Sequence, residues 1–408
     1  MNLITGRYPA LAFPLFRRYW LASFASVGAT QLVTLGQGWL IFELSGSALQ
    51  LGVLGAAAAL PNILMTLLGG VIADRFDRRR ILMTTSLITT VLLTILAWLD
   101  YSGQVEVWHV LAIAAGVSLI SGLDWPARAS IFPMLLERSA FMSAVALNAF
   151  IWQSTRMAMP ALGGIVIAAA RDTWPIFAAS AVGFFVMFCV MGSIRIQVAP
   201  VATVSPLEQL REGVRFIWQE ELFRTLLGLT FVGMFFALSY VQIMPVFADL
   251  LGSDERGYGL LLSAGGLGSV VGTLLIGGVE QTRNFGRVML GSAALSVLAL
   301  FAFAAATGWQ SFVTALICAF LAAGFGSVFQ ISSMTVMQLR VPDSLRGRVM
   351  GIHTMGYSFV PLGGLFLGSL VQSIGAAQAL VLGGAIYLAV IALVWTARPL
   401  IRELEGEA

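Results

Sequence analysis

The sequence has no lysine, and acidic and basic residues together make up only 11% of its 408 positions. Soluble domains carry about 25% charged residues, so a water-exposed globule of this size could not cover its surface. The two cysteines, Cys189 and Cys318, cannot form a disulfide framework or a metal site by their spacing. Inside apolar runs they read as small core residues. Two histidines, no Cys/His cluster and no glycine-rich phosphate loop leave metal and nucleotide chemistry without ligands, so no cofactor and no metal are expected. A net charge of +3, with no basic cluster interleaved with aromatics, excludes nucleic acid as a partner. What the chain does have is 58% hydrophobic residues and 43 glycines on top of them. That is the composition of an integral membrane protein.

A bilayer core about 30 Å thick needs roughly 20 apolar residues per helix. Twelve runs qualify: Tyr19–Phe42, Ala48–Ala73, Ile81–Leu99, Trp108–Ala127, Ala144–Ala170, Trp174–Ile194, Thr225–Val246, Tyr258–Val279, Val288–Gly308, Phe312–Met337, Val349–Ser373 and Ala376–Ala397. The first is too long for a signal-peptide core, which spans about 7–15 residues, and is read as a retained span. The alternating pattern of transmembrane strands is absent. The expected fold is an all-α membrane protein of twelve transmembrane helices in two six-helix pseudo-repeats around a central cavity.

Arginine placement sets the orientation. With a cytoplasmic N-terminus, 20 of the 23 arginines fall in inner segments. Outer loops hold only Arg171 and Arg256, and Arg156 lies within a span. This is a strong positive-inside bias, and it places both termini in the cytoplasm.

The longest polar gap splits the chain into a bundle over 1–194, a linker over 195–224 and a second bundle over 225–408. In the linker Ser205-Pro206-Leu207-Glu208 reads as a helix start. Leu207, Leu210, Val214 and Ile217 then share one face, opposite Glu208, Arg211, Glu212 and Arg215. Such a helix lies along the inner leaflet or packs on the cytoplasmic ends of the bundle. The halves echo each other: Gly69-Gly70-Val71 answers Gly277-Gly278-Val279, and Pro160 with Gly163-Gly164 answers Pro361 with Gly363-Gly364. The segment Arg128–Arg138 with Pro133 answers Arg340–Arg348 with Pro342. Parallel six-span repeats are a transporter architecture, with the substrate between the halves.

Gln, Asn, His and ionisable residues within spans avoid spans 3, 6, 9 and 12, apart from Gln378 at the mouth of the last, which makes those four peripheral. Spans 1, 4, 7 and 10 carry polar stripes, including Gln31, Gln37, Gln242 and Gln330. With Trp39, Phe236 and Tyr240, and with Asn148, Trp152 and Arg156 from span 5, they are read as lining a central cavity. Interhelical hydrogen bonding alone is the plainer alternative. Pro160, Gly163, Gly164, Pro361, Gly363 and Gly364 are read as helix-packing positions, since small residues let helices approach closely.

The turn after span 2, Gly70-Val71-Ile72-Ala73-Asp74-Arg75-Phe76-Asp77-Arg78-Arg79, resembles the major facilitator superfamily signature Gly-x3-Asp-Arg-x-Gly-Arg-Arg. Asp77 stands where that pattern has its second glycine. Physically, Gly70, Asp74, Arg75, Arg78 and Arg79 suit a charge lock between moving bundles, or arginines that serve topology alone. Further on, Asp124-Trp125-Pro126-Ala127-Arg128, Ala146-Leu147-Asn148 and Arg156-x3-Pro160-Ala161-Leu162-Gly163-Gly164 are similar to the drug- and siderophore-exporting branch of that superfamily, with its enterobactin exporter and macrolide efflux proteins. Thr155 and Met159 replace that branch's Ala and Gly in the span-5 antiporter motif. The resemblance covers nearly the whole chain and implies a secondary transporter of a bacterial inner membrane that exports small molecules by proton antiport.

Three functions compete: a proton-driven exporter, an importer or facilitator on the same fold, and a membrane-embedded enzyme or scaffold. Intramembrane catalysis would need clustered histidines, carboxylates or a nucleophile with its base, and no such cluster occurs; His109 and His353 lie in different halves. The expected partners are membrane lipid, a small-molecule substrate and protons, with the chain acting as a monomer. Asp124 is the first candidate for the coupling proton, with Glu43 behind it; a carboxylate that ties spans 4 and 5 together is the alternative. Helical rise puts Asp124 about 24 Å below Trp108, near the inner face, and Arg156 about 18 Å from that face, near mid-membrane. Arg156 contacts substrate or serves packing only.

Overall fold

Runs this apolar leave the backbone one way to satisfy its hydrogen bonds away from water. Among the described residues every regular element is helical. The structure, a computed structural model, describes residues 8–75, 77–194, 206–276 and 284–405, and the side chains at 66–75, 125, 126, 129, 130, 133 and 206–209 lie outside that description. Outside it therefore fall the surroundings of Gly70, the side chains of Asp74, Arg75 and Pro133, the cap at Ser205, and Gly277-Gly278-Val279. Among the described residues ten helical stretches are long and apolar enough to cross a membrane. Two further long helices, Pro14–Ser45 and Phe141–Ala170, are made less apolar by Gln31, Gln37, Gln153 and Arg156.

Packing divides the chain into two units: Met1–Leu44 with Ala57–Pro206, and Ser45–Ala56 with Leu207–Ala408. The beginning of the second expected span thus groups with the second unit, although the sequence placed the whole span in the first bundle.

The first unit holds α1 (Pro14–Ser45), most of α2 (Ala48–Arg75), α3 (Arg78–Tyr101), α4 (Val107–Ile131), α5 (Phe141–Ala170) and α6 (Trp174–Ser193). Asp77 caps α3, its Oδ1 accepting the Arg79 backbone N–H at 2.9 Å. Glu106 and His109 form a reciprocal capping box at the start of α4. α3 packs on α4 and α6. α6 meets α1 at Gly183, where a Cβ would lie 2.8 Å from the Ala25 carbonyl. Gly163 of α5 receives Leu32 and Leu35 of α1. Cys318 is buried, but Cys189 is exposed. It joins Val182, Phe185 and Val186 on one exposed stripe of α6. The core reading of Cys189 fails because an apolar side chain on a spanning helix has no water to avoid and need not face protein.

The second unit holds α7 (Pro206–Gln219), α8 (Glu221–Gly233), α9 (Met244–Leu250), α10 (Glu255–Ile276), α11 (Phe285–Gly308), α12 (Phe312–Arg340), α13 (Arg346–Met355), α14 (Phe359–Ile374), α15 (Ala376–Ala397) and the short α16 (Pro399–Arg402). Two expected spans are interrupted. Between α8 and α9 the chain runs as a π-helix over Met234–Leu238 and a 3₁₀ stretch over Ser239–Ile243. Between α13 and α14 it runs as 3₁₀ over Gly356–Ser358. Each break precedes a proline, Pro245 or Pro361, whose ring clashes with the carbonyl four residues earlier and whose missing N–H removes an α-helical bond. Pro61 and Pro160 stay inside continuous helices.

α12 packs on α10 and α11, and α11 on α15. Gly268 and Gly272 of α10 lie directly on the Phe320 and Gly324 carbonyls of α12, so no Cβ fits at either position. Gly363 is pressed on the Phe235 carbonyl and Gly368 on that of Ala48. Gly52 meets Leu365, where a Cβ would stand 2.6 Å from its Cα. The pairing scheme repeats between units: spans 3 with 4 and 3 with 6 in one, 9 with 10 and 9 with 12 in the other.

Candidate functional site

The last turns of α4 bring two opposite charges together. Asp124 and Arg128, four residues apart, stand one above the other on one face, and the Arg128 Nε donates to Asp124 Oδ2. Aspartate ahead of arginine at this spacing is the favourable order on a helix, and a cation near the helix C-terminus also suits the dipole. Their side chains are only 19% and 12% exposed. A pair this buried persists when other hydrogen bonds satisfy the remaining lone pairs and protons. Those bonds come from two other helices. Thr85 of α3 donates to Asp124 Oδ1 at 2.9 Å, and Arg128 Nη1 donates to Ser26 of α1 at 3.0 Å.

Arg128 also forms part of the wall of a cavity of about 200 Å³, with Tyr19, Ser23, Val27, Phe132, Asn148 and Trp152. Tyr19, Ser23, Ser26 and Val27 share one face of α1 by their spacing, and Asn148 and Trp152 share one face of α5. Trp20 anchors these two helices to each other, its indole N–H donating to the Leu147 carbonyl at 3.0 Å. Phe16, Leu82, Ile131, Leu135, Ala144 and Leu147 belong to the apolar core next to the cavity. The result is a small aromatic chamber with a guanidinium, an amide and hydroxyls on its wall. A guanidinium has five N–H donors, so the bonds to Asp124 and Ser26 leave Arg128 with donors to spare.

Of the expected site residues, the structure therefore places Asn148 and Trp152 on the chamber wall, and Asp124 behind it, paired with the wall residue Arg128. Arg156 continues their face of α5 two turns beyond Asn148 and is exposed; among the described residues nothing pairs with it. Gln31 and Trp39 are half-buried, Gln37 is buried, and Glu43 is exposed, all on α1 and outside the chamber wall. In the second unit Tyr240 is buried against Phe303, with ring centroids 5.7 Å apart. Gln242 packs against Gly55 and Gly364. Gln330 donates from Nε2 to the Tyr357 hydroxyl at 2.6 Å.

Arg79 is engaged inside the first unit. Its Nε donates to the Met191 carbonyl and its Nη2 to the Gly192 carbonyl, both at 2.7 Å. It thereby closes the C-terminal end of α6, where carbonyls lack helical partners.

The sequence does not mark Tyr19, Ser23, Ser26 or Thr85 as site residues, and it offers Arg128 only as a partner that could hold the charge of Asp124. Only Arg128, four residues after Asp124, carries a local signal.

A profile of the family described as transmembrane secretion effectors matches residues 5–407. The multidrug efflux pump Tap of Mycobacterium tuberculosis is 28% identical over 405 residues, with 94% of each chain covered. The enterobactin exporter EntS of Salmonella typhimurium is 26% identical over 347 residues, 84% of this chain and 81% of that one. A solved D-xylose–proton symporter is similar with a TM-score of 0.74 at 14% identity, covering 95% of this chain and 99% of that one; that likeness is one of fold.

Proposed function

The chain belongs to the transmembrane secretion effector family of the major facilitator superfamily, and on that premise we propose that it exports drug-like or siderophore-like small molecules from the cytoplasm by proton antiport. It is a multi-pass membrane protein of a transporter family, and its matched relatives are efflux pumps and exporters. Twelve helices in two six-helix repeats carry the alternating access, with both termini cytoplasmic; the repeated pairing of spans 3, 4 and 6 with 9, 10 and 12 supports this. The chain acts as a monomer.

The observation that carries the coupling scheme is the pairing of Asp124 with Arg128, whose guanidinium lies on the wall of the aromatic chamber. A proton arriving at Asp124 cancels the charge that holds Arg128. The freed guanidinium then reorganises Ser26 on α1 and the chamber wall, which lowers the affinity for substrate. Loss of the proton to the cytoplasm restores the pair. Glu43 remains the second proton candidate. Arg156, on the same face of α5 as Asn148 and Trp152, extends the substrate path, with Gln31, Gln37, Trp39, Tyr240, Gln242 and Gln330 as further cavity residues. Asp74 with Arg75 and Arg78 forms the charged lock on the cytoplasmic side. Arg79 contributes there by fixing the end of α6.

Vesicle sidedness tests the direction. Everted membrane vesicles given an acidic interior should accumulate a substrate dye, and right-side-out vesicles should not. A D-xylose–proton symporter shares the fold, so uptake confined to right-side-out vesicles would instead establish an importer.

A further inference from the structure

We propose that the outward face of α7 docks on the anionic headgroups of the inner-leaflet phospholipids, and that the Glu212–Arg348 pair ties this contact to the first turn of α13. The inner leaflet is the one concerned because the linker is cytoplasmic in the proposed topology.

Burial divides α7 into two faces. Gly213 and Ile217 are buried and Leu210 is half-buried. A Cβ at Gly213 would stand 2.9 Å from Ile352 Cδ1 and 3.2 Å from Arg348 Cβ, so glycine lets α7 lie close against α13. On the other side Arg211, Val214, Arg215 and Trp218 are all exposed, Trp218 to 65%. Their spacing of three, four and seven residues makes them one stripe. The apolar face is therefore rotated from that read in the sequence: Val214 joins the arginines instead of the packed side.

The charge of this stripe is not cancelled locally. Glu212, the acid within it in sequence, is paired with Arg348, and Glu221 is paired with Arg398. Among the described residues nothing pairs with Arg211 or Arg215. Even counting Glu208 one turn earlier, the face keeps a net positive charge.

The next helix sets its depth. Trp218 lies three residues before α8, the start of a span, and Arg224 of α8 donates to the Trp218 carbonyl at 3.0 Å. α7 thus sits level with the ends of two membrane helices, α8 and α13. Water gives nothing for an exposed indole and valine, whereas the headgroup region takes the indole at its preferred depth and anionic phosphates take the arginines. A basic amphipathic stripe at this depth matches a lipid surface.

The test uses the full-length protein in nanodiscs with equal fractions of brominated phosphatidylglycerol or brominated phosphatidylcholine. Trp218 emission is isolated as the difference between wild type and Trp218→Phe. Phosphatidylglycerol should quench it more strongly, and Arg211→Gln/Arg215→Gln should abolish the preference, at about fivefold in relative affinity per arginine. Glu212→Gln should keep the quenching preference but lose the rise in melting temperature that phosphatidylglycerol confers. Equal quenching by both lipids overturns the proposal, as does a preference that survives the double substitution. An unquenched Trp218 places the face in water or against another copy, and also overturns it. A melting-temperature rise retained in Glu212→Gln refutes the tie to α13. Both leaflets of a nanodisc are alike and no transport is measured, so failure of the export reading would leave this result standing.

Discussion

Arg128 neutralises Asp124 on its own helix and reaches Ser26 on another, so one guanidinium joins a titratable carboxylate to the wall of the aromatic chamber. Breaking such a pair from one side leaves an uncompensated buried charge, at a cost of about 3–5 kcal/mol. Arg128→Gln should therefore melt well below the wild type. Asp124→Asn/Arg128→Gln, with neither charge present, should regain much of that stability without regaining transport. Melting of the purified variants checks this; a double variant no more stable than Arg128→Gln would show that the pair contributes packing rather than charge balance.

Arg79 belongs to the charged motif, yet its bonds stay inside one unit. Its donation to the Met191 and Gly192 carbonyls makes it a clamp on the end of α6. Hydrogen bonds to charged groups contribute about 1.5–3 kcal/mol, and these are partly solvent-exposed, so Arg79→Gln should cost toward the lower end. Arg79→Lys should recover only part of the loss, because an ammonium cannot reproduce the planar fork. An unchanged melting temperature in Arg79→Gln would remove the clamp and leave the residue to gating alone.

Close helix contacts give a sharper structural test. Gly268 has no room for a Cβ against the Phe320 carbonyl, whereas nothing lies within 4 Å of a Cβ at Gly291 on α11. Gly268→Ala should force α10 and α12 apart and lower both yield and melting temperature. Gly291→Ala should be neutral or slightly stabilising, since alanine is the better helix former by about 1 kcal/mol. Equal effects of the two on melting would contradict the packing described for α10 and α12.

The spans were legible because their only requirement is a long apolar run, and the described residues of the expected runs are almost all helical, two of the runs with a π or 3₁₀ interruption. Their interruptions were not. Pro160, Pro245 and Pro361 look alike in the sequence, yet α5 absorbs Pro160 while the others follow π or 3₁₀ turns. Whether a proline breaks a helix depends on neighbours that supply the lost packing and hydrogen bond. Asp124 with Arg128 was readable because four residues make one helical turn. Thr85 and Ser26 were not, since their approach depends on how α3 and α1 pack. Cys189 misled because lipid exposure removes the penalty that marks an exposed apolar residue in water.

Coupling of transport to protons through Asp124 is tested most directly by comparing wild type and Asp124→Asn in proteoliposomes. Substrate accumulation driven by an imposed pH gradient is measured beside gradient-free exchange of the same substrate. If Asp124 carries the coupling proton, Asp124→Asn still exchanges substrate but accumulates none when the gradient is applied. Wild-type accumulation by Asp124→Asn under the gradient would contradict that role.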